Sequence, residues 1–319
     1  MKSTIMNKII NFHLVNDIDW FDRMICFLKS RYEMIDIDTL FQYYSGNINL
    51  NNTCHITVDD GDKTFYDIIF PVLRKHNVPA SLFVSPKICE EKLNYWFQEI
   101  EGYDENKFRN VIADLSGVTF NSVARYSIPS VLKTMQVSQL HEIISRYQKL
   151  TNTPPKVFQN MTVSDLKEVD RSGLVSIGAH TLNHPILANE SAENSKHEIA
   201  VSINDLSAIL GHEVNYFAYP NGIPMLDFTE REEEYLKDCK VRLAFTTEAK
   251  NITLNDSHMR IPRIGVSNNE NPLFLKIKLL FGSSWDKLKR LKTTGEFSER
   301  KRLRQLITTK TDKTINQLV

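Results

Sequence analysis

The sequence predicts an α/β protein, a mostly parallel sheet or barrel wrapped by helices. Three observations carry that prediction. Short apolar, β-branched runs of strand length alternate with longer segments of helical period. Several of these runs end in turn-forming residues beside acidic, imidazole or amide side chains. Between about residues 90 and 155 the alternation gives way to charged and aromatic helical segments, read as a helical insertion between two strands.

The elements follow in order. Ile5 to Leu14 reads as a first strand and includes Ile9-Ile10-Asn11-Phe12-His13. Asp17 to Tyr32 has helical spacing, with Asp17 as the cap and Trp20, Phe21, Met24, Ile25 and Leu28 on one apolar face. Met34-Ile35-Asp36 is a short strand, and Ile37 to Tyr44 a short helix closed by Ser45-Gly46. Cys54 to Val58, the helix Thr64 to His76, and Ala80 to Val84 form a compact βαβ unit. Pro154-Pro155 ends the helical stretch. After it come a helix over Thr162 to Arg171, a strand over Leu174 to Ala179 and a long amphipathic helix over Ser191 to Leu210. Val214 to Tyr219 and Leu243 to Thr246 are strands flanking a helix from Glu230 to Cys239, and Met259 to Ile264 is extended. These elements divide the chain into a first domain over 1–270, with its insertion at about 90–160, and a helical extension over 271–319.

Bulk composition narrows the class. A chain of 319 residues, 41% hydrophobic and 24% charged, is globular and long enough for one large domain with an insertion. Its 39 basic and 39 acidic residues balance, so no attraction to nucleic acid is implied. The charge is uneven, because Leu273 to Val319 carries 12 Lys/Arg against 4 Asp/Glu. In that extension Leu273, Phe274, Ile277, Leu280 and Phe281 form an apolar face beside Lys276 and Lys278, with Trp285 beyond. The ordinary reading is packing on its own domain; the sharper one is peripheral contact with an anionic membrane. Cys26, Cys54, Cys89 and Cys239 are scattered, which excludes a disulfide framework or a zinc knuckle. The apolar stretch near Met1 is interrupted by Asn7, Lys8, Asn11 and His13, and no run reaches the ~20 apolar residues of a membrane span. The expected compartment is the cytoplasm, with membrane association as the second reading.

Two stretches carry the chemistry. Gly178-Ala179-His180-Thr181-Leu182-Asn183-His184-Pro185 places two histidines four residues apart, just past a buried strand. Open α/β sheets bind ligands at that end of a strand, and imidazole is the commonest ligand for zinc-like metals. A third ligand is needed, and Cys54-His55-Ile56-Thr57-Val58-Asp59-Asp60-Gly61-Asp62 offers one where another strand meets a glycine turn. Adjacent carboxylates at a turn can share a site yet differ in environment, so that one ligates and the other accepts a proton. A solvated Asp-Asp-Gly turn and a structural histidine pair are the plainer readings of each stretch alone. Together they look like a mononuclear metal hydrolase.

A third strand end, Phe217-Ala218-Tyr219-Pro220-Asn221-Gly222, completes a set that resembles the polysaccharide deacetylases, carbohydrate esterases with a NodB-type domain. The resemblance spans about residues 5 to 265, the insertion excepted, and implies a distorted (β/α) barrel. It further implies that Asp60, His180 and His184 hold one divalent metal, usually zinc. Asp59 would then be the base that activates water. The N–H of Asn221 would face the oxyanion, as a Pro-Asn-Gly turn at a strand end can. Thr181 would position the histidine loop. Two departures stand out. Many members carry an arginine in the third motif where this chain has Ala218, so Arg260 or Arg263 would have to supply the guanidinium. The late strand ending in a general-acid histidine is absent, and the N-terminal strand ending in His13 resembles that strand moved to the front, as in the permuted branch. His13 is therefore the candidate acid, with His258 as the alternative.

The implied reaction is removal of acetyl from an N-acetylated sugar of a glycan or glycan precursor. An O-acetyl esterase, a non-catalytic glycan-binding relic and a phosphoesterase are the competing readings. The last lacks a phosphate-cradling glycine loop. Asn94-Tyr95-Trp96-Phe97 offers rings for sugar stacking, or core.

Overall fold

The computed structural model describes residues 6–280 and 295–305. They fall into two compact units, one of residues 6–93 and 159–280 and the other of 94–158 and 295–305.

The first unit is built on eight strands: β1 (Lys8–Phe12), β2 (Glu33–Met34), β3 (Thr53–Asp59), β4 (Ala80–Val84), β5 (Val175–Ala179), β6 (Tyr216–Ala218), β7 (Leu243–Phe245) and β8 (Ile264–Gly265). They pair in the order β7-β6-β5-β4-β3-β1-β8, with β2 against the start of β3, and every pairing is parallel. The segment before β8 also bridges β7, through Phe245 and Ile261, while Ile264 pairs with Ile10 of β1. One short segment thus spans the seam between the two ends of the sheet, which curls into a distorted (β/α) barrel.

The helices in chain order are α1 (Ile18–Lys29), α2 (Ile37–Tyr44), α3 (Phe70–His76), α4 (Pro86–Glu90), α5 (Trp96–Glu99), α6 (Glu105–Ser116), α7 (Phe120–Ala124), α8 (Ile128–Leu132), α9 (Val137–Thr151), α10 (Val163–Arg171), α11 (Ala192–Leu210), α12 (Glu230–Asp238) and α13 (Pro272–Leu280). The Asp17 carboxylate accepts from the Trp20 N–H at 2.9 Å and starts α1, whose apolar stripe of Trp20, Phe21, Met24, Ile25 and Leu28 is buried. Burial of each such side chain contributes about 1.5–3 kcal/mol. The expected single helix over Thr64 to His76 is instead a π-helical turn, Phe65–Ile69, running into α3. Pro71 has no N–H to give the preceding turn, so the ladder loosens before it.

Strand periodicity sorts the barrel into two faces. Cys54, Ile56 and Val58 of β3 point outward into the main core with Phe21, Leu73 and Ile199 from the surrounding helices. The alternate residues Thr53, His55, Thr57 and Asp59 are equally buried but share the inner face, where Ile9, Phe83, Ala218 and Phe245 form the core. This polar ladder inside the barrel rises to the carboxyl end of β3.

The second unit has its own core, in which Trp96, Phe108, Ile143 and Tyr147 pack with Leu303, and Tyr103 stacks on Tyr147 at 4.1 Å. Tyr95 and Trp96 are both buried, so the aromatic stretch offered for sugar stacking is largely core. The expected apolar face of the C-terminal helix is also corrected. Leu275 and Leu279 are buried, Phe274 and Ile277 are exposed, and Lys278 turns inward to Glu270 at 3.1 Å. The Glu270 carbonyl also accepts from Trp20 Nε1 at 3.0 Å. Phe281 and Trp285 lie outside the described residues, as do the side chains of Leu273 and Leu280. No described helix is long and apolar enough to cross a membrane.

His55 carries a pH consequence. Its ring bridges the Ile35 carbonyl at 2.8 Å and the Ser81 hydroxyl at 2.9 Å, a neutral arrangement, and burial pushes its pKa down to about 4. The unfolded chain takes up this proton near 6.5 and the folded chain does not. The stability this contributes is complete above pH 6.5 and falls by about 1.4 kcal/mol per unit as pH drops toward 4. Urea unfolding across that window should show a shallower loss in His55→Gln than in the parent. Equal slopes would contradict the assignment.

Candidate active site

The inner-face ladder ends at Asp59, a residue buried among donors. Arg263 Nη1 and Nη2 reach its two oxygens at 2.7 and 2.8 Å, and Asn11 Nδ2 adds a bond to Oδ2 at 3.0 Å. Asn11 Oδ1 in turn accepts from Thr57 Oγ1 at 2.9 Å and Arg263 Nη1 at 3.1 Å. Arg263 is itself fully buried. Its Nε donates to the Thr246 carbonyl at 3.0 Å, and its guanidinium lies 5.7 and 5.8 Å from the ring centres of Phe83 and Phe245. Gly178 makes room for this packing, because a Cβ there would meet the Phe83 ring at 2.5 Å. Burial acts to raise the Asp59 carboxyl, but Arg263, with His180 and His13, outweighs it and holds the group well below the usual carboxylate range.

Asp60 takes a left-handed backbone, φ 74°, with Gly61 following at φ 69°. The chain therefore turns between the two carboxylates, and each meets a different environment. Asp60 Oδ1 lies 3.5 Å from both His180 Nε2 and His184 Nε2. The three side chains are buried and offer ligand atoms all within 4.8 Å of one another. His180 Nδ1 sits 2.7 Å from the Ala218 carbonyl, which can only accept. The ring proton is therefore on Nδ1, and the Nε2 lone pair faces Asp60. Burial lowers both imidazoles, His184 strongly, and so keeps them in the neutral form that ligates. A carboxylate and imidazole lone pairs turned toward one point fit a divalent cation of the zinc class.

The loop that carries the histidines is strained and braced. Thr181 and His184 have φ of 64° and 54°. The Thr181 hydroxyl accepts from His184 N–H at 3.1 Å and donates to the His180 carbonyl. From α11, buried Glu198 accepts from the Leu182 and Asn183 N–H groups at 3.0 and 2.9 Å and from Asn183 Nδ2 at 2.6 Å. Asn221, φ 59°, lies on the loop after β6, the strand whose Ala218 holds His180. Its side chain bonds Asp227, which also takes Ile223 N–H at 2.8 Å, and Thr247 Oγ1 donates to its carbonyl at 2.8 Å.

His13, half exposed, stands at the rim with Nε2 3.7 Å from Asp59 Oδ2. The alternative acid, His258, is elsewhere, 3.0 Å from the Tyr44 carbonyl and against the Tyr44 ring. Arg260 pairs with Glu233, so the guanidinium at Asp59 comes from Arg263 alone of the two. Asn11, Thr57 and Glu198 were given no role from sequence. A signal existed for Thr57, which shares one face of β3 with Thr53, His55 and Asp59 while the other face is apolar.

A family model described as polysaccharide deacetylase matches residues 48–244. Among solved structures, the deacetylase PplD of Streptococcus pyogenes, solved with acetate, superposes with a TM-score of 0.58 at 16% identity, covering 87% of this chain and 99% of that one. IcaB from Ammonifex degensii gives 0.55 at 18%, covering 89% and 97%. The de-N-acetylase from Aggregatibacter actinomycetemcomitans gives 0.54 at 14%, covering 85% and 98%. No curated protein matches the chain in sequence.

Removing Arg263 would strand a buried carboxylate. Arg263→Met should therefore cost about 3–5 kcal/mol in urea unfolding at neutral pH. A cost below about 1 kcal/mol would show that the pair is solvated.

Proposed function

The chain belongs to the polysaccharide deacetylase family, and from that premise we propose a metal-dependent hydrolase that removes acetyl from N-acetylated sugars of a glycan or glycan precursor. The observation that carries the reading is the division of labour between adjacent carboxylates, Asp59 against Arg263 and Asp60 against His180 and His184.

Asp60, His180 and His184 would hold the cation, zinc being the best match for one carboxylate and two imidazoles. When bound, it polarises the acetyl carbonyl and lowers the pKa of water to about 7, so a strongly ionised carboxylate suffices as proton acceptor. The residues of this chain do the rest. Asp59, kept ionised and aimed by Arg263 and Asn11, accepts the proton as water attacks the carbonyl carbon. The Asn221 N–H faces the developing oxyanion. The C–N bond breaks as His13, reachable at the rim, donates a proton to the nitrogen, leaving an amine and acetate. Thr181 and Glu198 hold the ligand loop in its strained form.

The position of His13 favours an amide over an O-acetyl ester, since an amine leaves poorly without an acid. The reading as a binding relic rested on Ala218 standing where relatives carry arginine. Arg263 meets that need from another strand, and a binder has no use for so costly a buried pair.

Acetate release from a panel of N-acetylhexosamine oligomers tests the proposal. Release should vanish on chelation, return with zinc and be absent in Asp60→Ala. Release that survives both treatments would overturn the metal dependence. Glu198→Ala should keep the fold and weaken zinc binding about 10–100-fold by equilibrium dialysis; unchanged affinity would reduce Glu198 to a structural cap.

A further inference from the structure

A second group of ligand-type side chains lies outside the barrel mouth. Asp22 and Cys26 are four residues apart on α1, hence on one face of the helix. His76 is the last residue of α3, which packs beside α1. The His76 Nε2 atom is 2.9 Å from Asp22 Oδ1 and 3.9 Å from Cys26 Sγ, and the three ligand atoms all fall within 4.8 Å of one another. β4 begins at Ala80, just after His76, so the group sits toward the amino ends of the strands. The carboxyl ends, where Asp59 and His180 lie, are at the opposite end of the strands.

We propose that Asp22, Cys26 and His76 form a second divalent-cation site, of the zinc class. One carboxylate, one thiolate and one neutral imidazole balance a 2+ charge, and the mixed O, S, N set suits a borderline-soft ion. Tetrahedral zinc would leave its fourth position to water, because both helices turn these groups to the surface, where Cys26 is exposed. The spacing needs little adjustment: oxygen, nitrogen and sulfur at about 2.0–2.3 Å from one ion stand roughly 3–4 Å from each other. Lys75 now donates to Asp22 Oδ1 at 2.7 Å, but its ammonium is mostly exposed and can return to water as the cation arrives. Binding releases the thiol proton of Cys26. The bound ion would tie α1 to α3, two helices already linked by apolar packing, by the pairing of Lys75 and His76 with Asp22, and by Lys29 on the His76 carbonyl at 2.7 Å.

Sulfur distinguishes this site from the barrel site, whose ligand set contains none. The full chain, stripped by chelator and titrated with cobalt(II) under reducing conditions, should develop a thiolate-to-cobalt charge-transfer band in the near ultraviolet. Cys26→Ser should remove the band and lower bound cobalt by about one ion per chain. His76→Ala should weaken the band, and Asp60→Ala should leave it intact. No band in the parent, a band surviving Cys26→Ser, or a band lost in Asp60→Ala would each overturn the site. The first outcome would leave Asp22 and His76 as a simple surface ion pair.

Discussion

The buried ion pair between Arg263 and Asp59 is the constraint on which the rest of the site depends. A guanidinium with no solvent exposure needs a carboxylate, and Asp59 satisfies it through both oxygens. The cost of dehydrating the two charges is offset only because their remaining bonding capacity is met by Asn11, Thr57 and the Thr246 carbonyl. The pair also links distant parts of the chain. Arg263 comes from the segment that spans the seam of the sheet, and Asp59 from a central strand, so the pair joins the seam to the site. With Asp59 committed to arginine, Asp60 is the carboxylate left to face the imidazoles.

Four residues at the site carry backbone strain. Asp60, Thr181, His184 and Asn221 all adopt left-handed backbone conformations without being glycine. Each is braced by nearby bonds or by burial: Thr181 and His184 by Glu198 and their own hydroxyl-to-amide contact, Asn221 by Asp227 and Thr247. The left-handed turn at Asp60 gives neighbouring carboxylates different surroundings, which a straight strand could do only by sending one to the outer face.

Much of this was legible in the sequence where local physics decides. The cap at Asp17, the strand over Ala80–Val84 and the apolar stripe of α1 follow from spacing and short-range bonding. The two histidines four apart pointed to a shared ligand position, and their Nε2 atoms do converge on one oxygen. Long-range choices were not legible. Arg260 and Arg263 are equivalent in sequence, and only the register of the seam sends one to Glu233 and the other into the barrel. Glu198 lies on an amphipathic helix, where a lone acidic residue is ordinarily solvated, and its role exists only because the histidine loop passes over it. The inward turn of Lys278 to Glu270 is likewise a tertiary pairing that the apolar spacing did not reveal.

The division between the two carboxylates is tested most directly by zinc titration and acetate release in Asp59→Asn and Asp60→Asn, both carried in a Cys26→Ser background. Asp60→Asn should lose zinc and activity together. Asp59→Asn should retain zinc and lose acetate release. Equal loss of zinc in both variants, or release surviving in Asp59→Asn, would contradict the assignment of ligand to one carboxylate and base to the other.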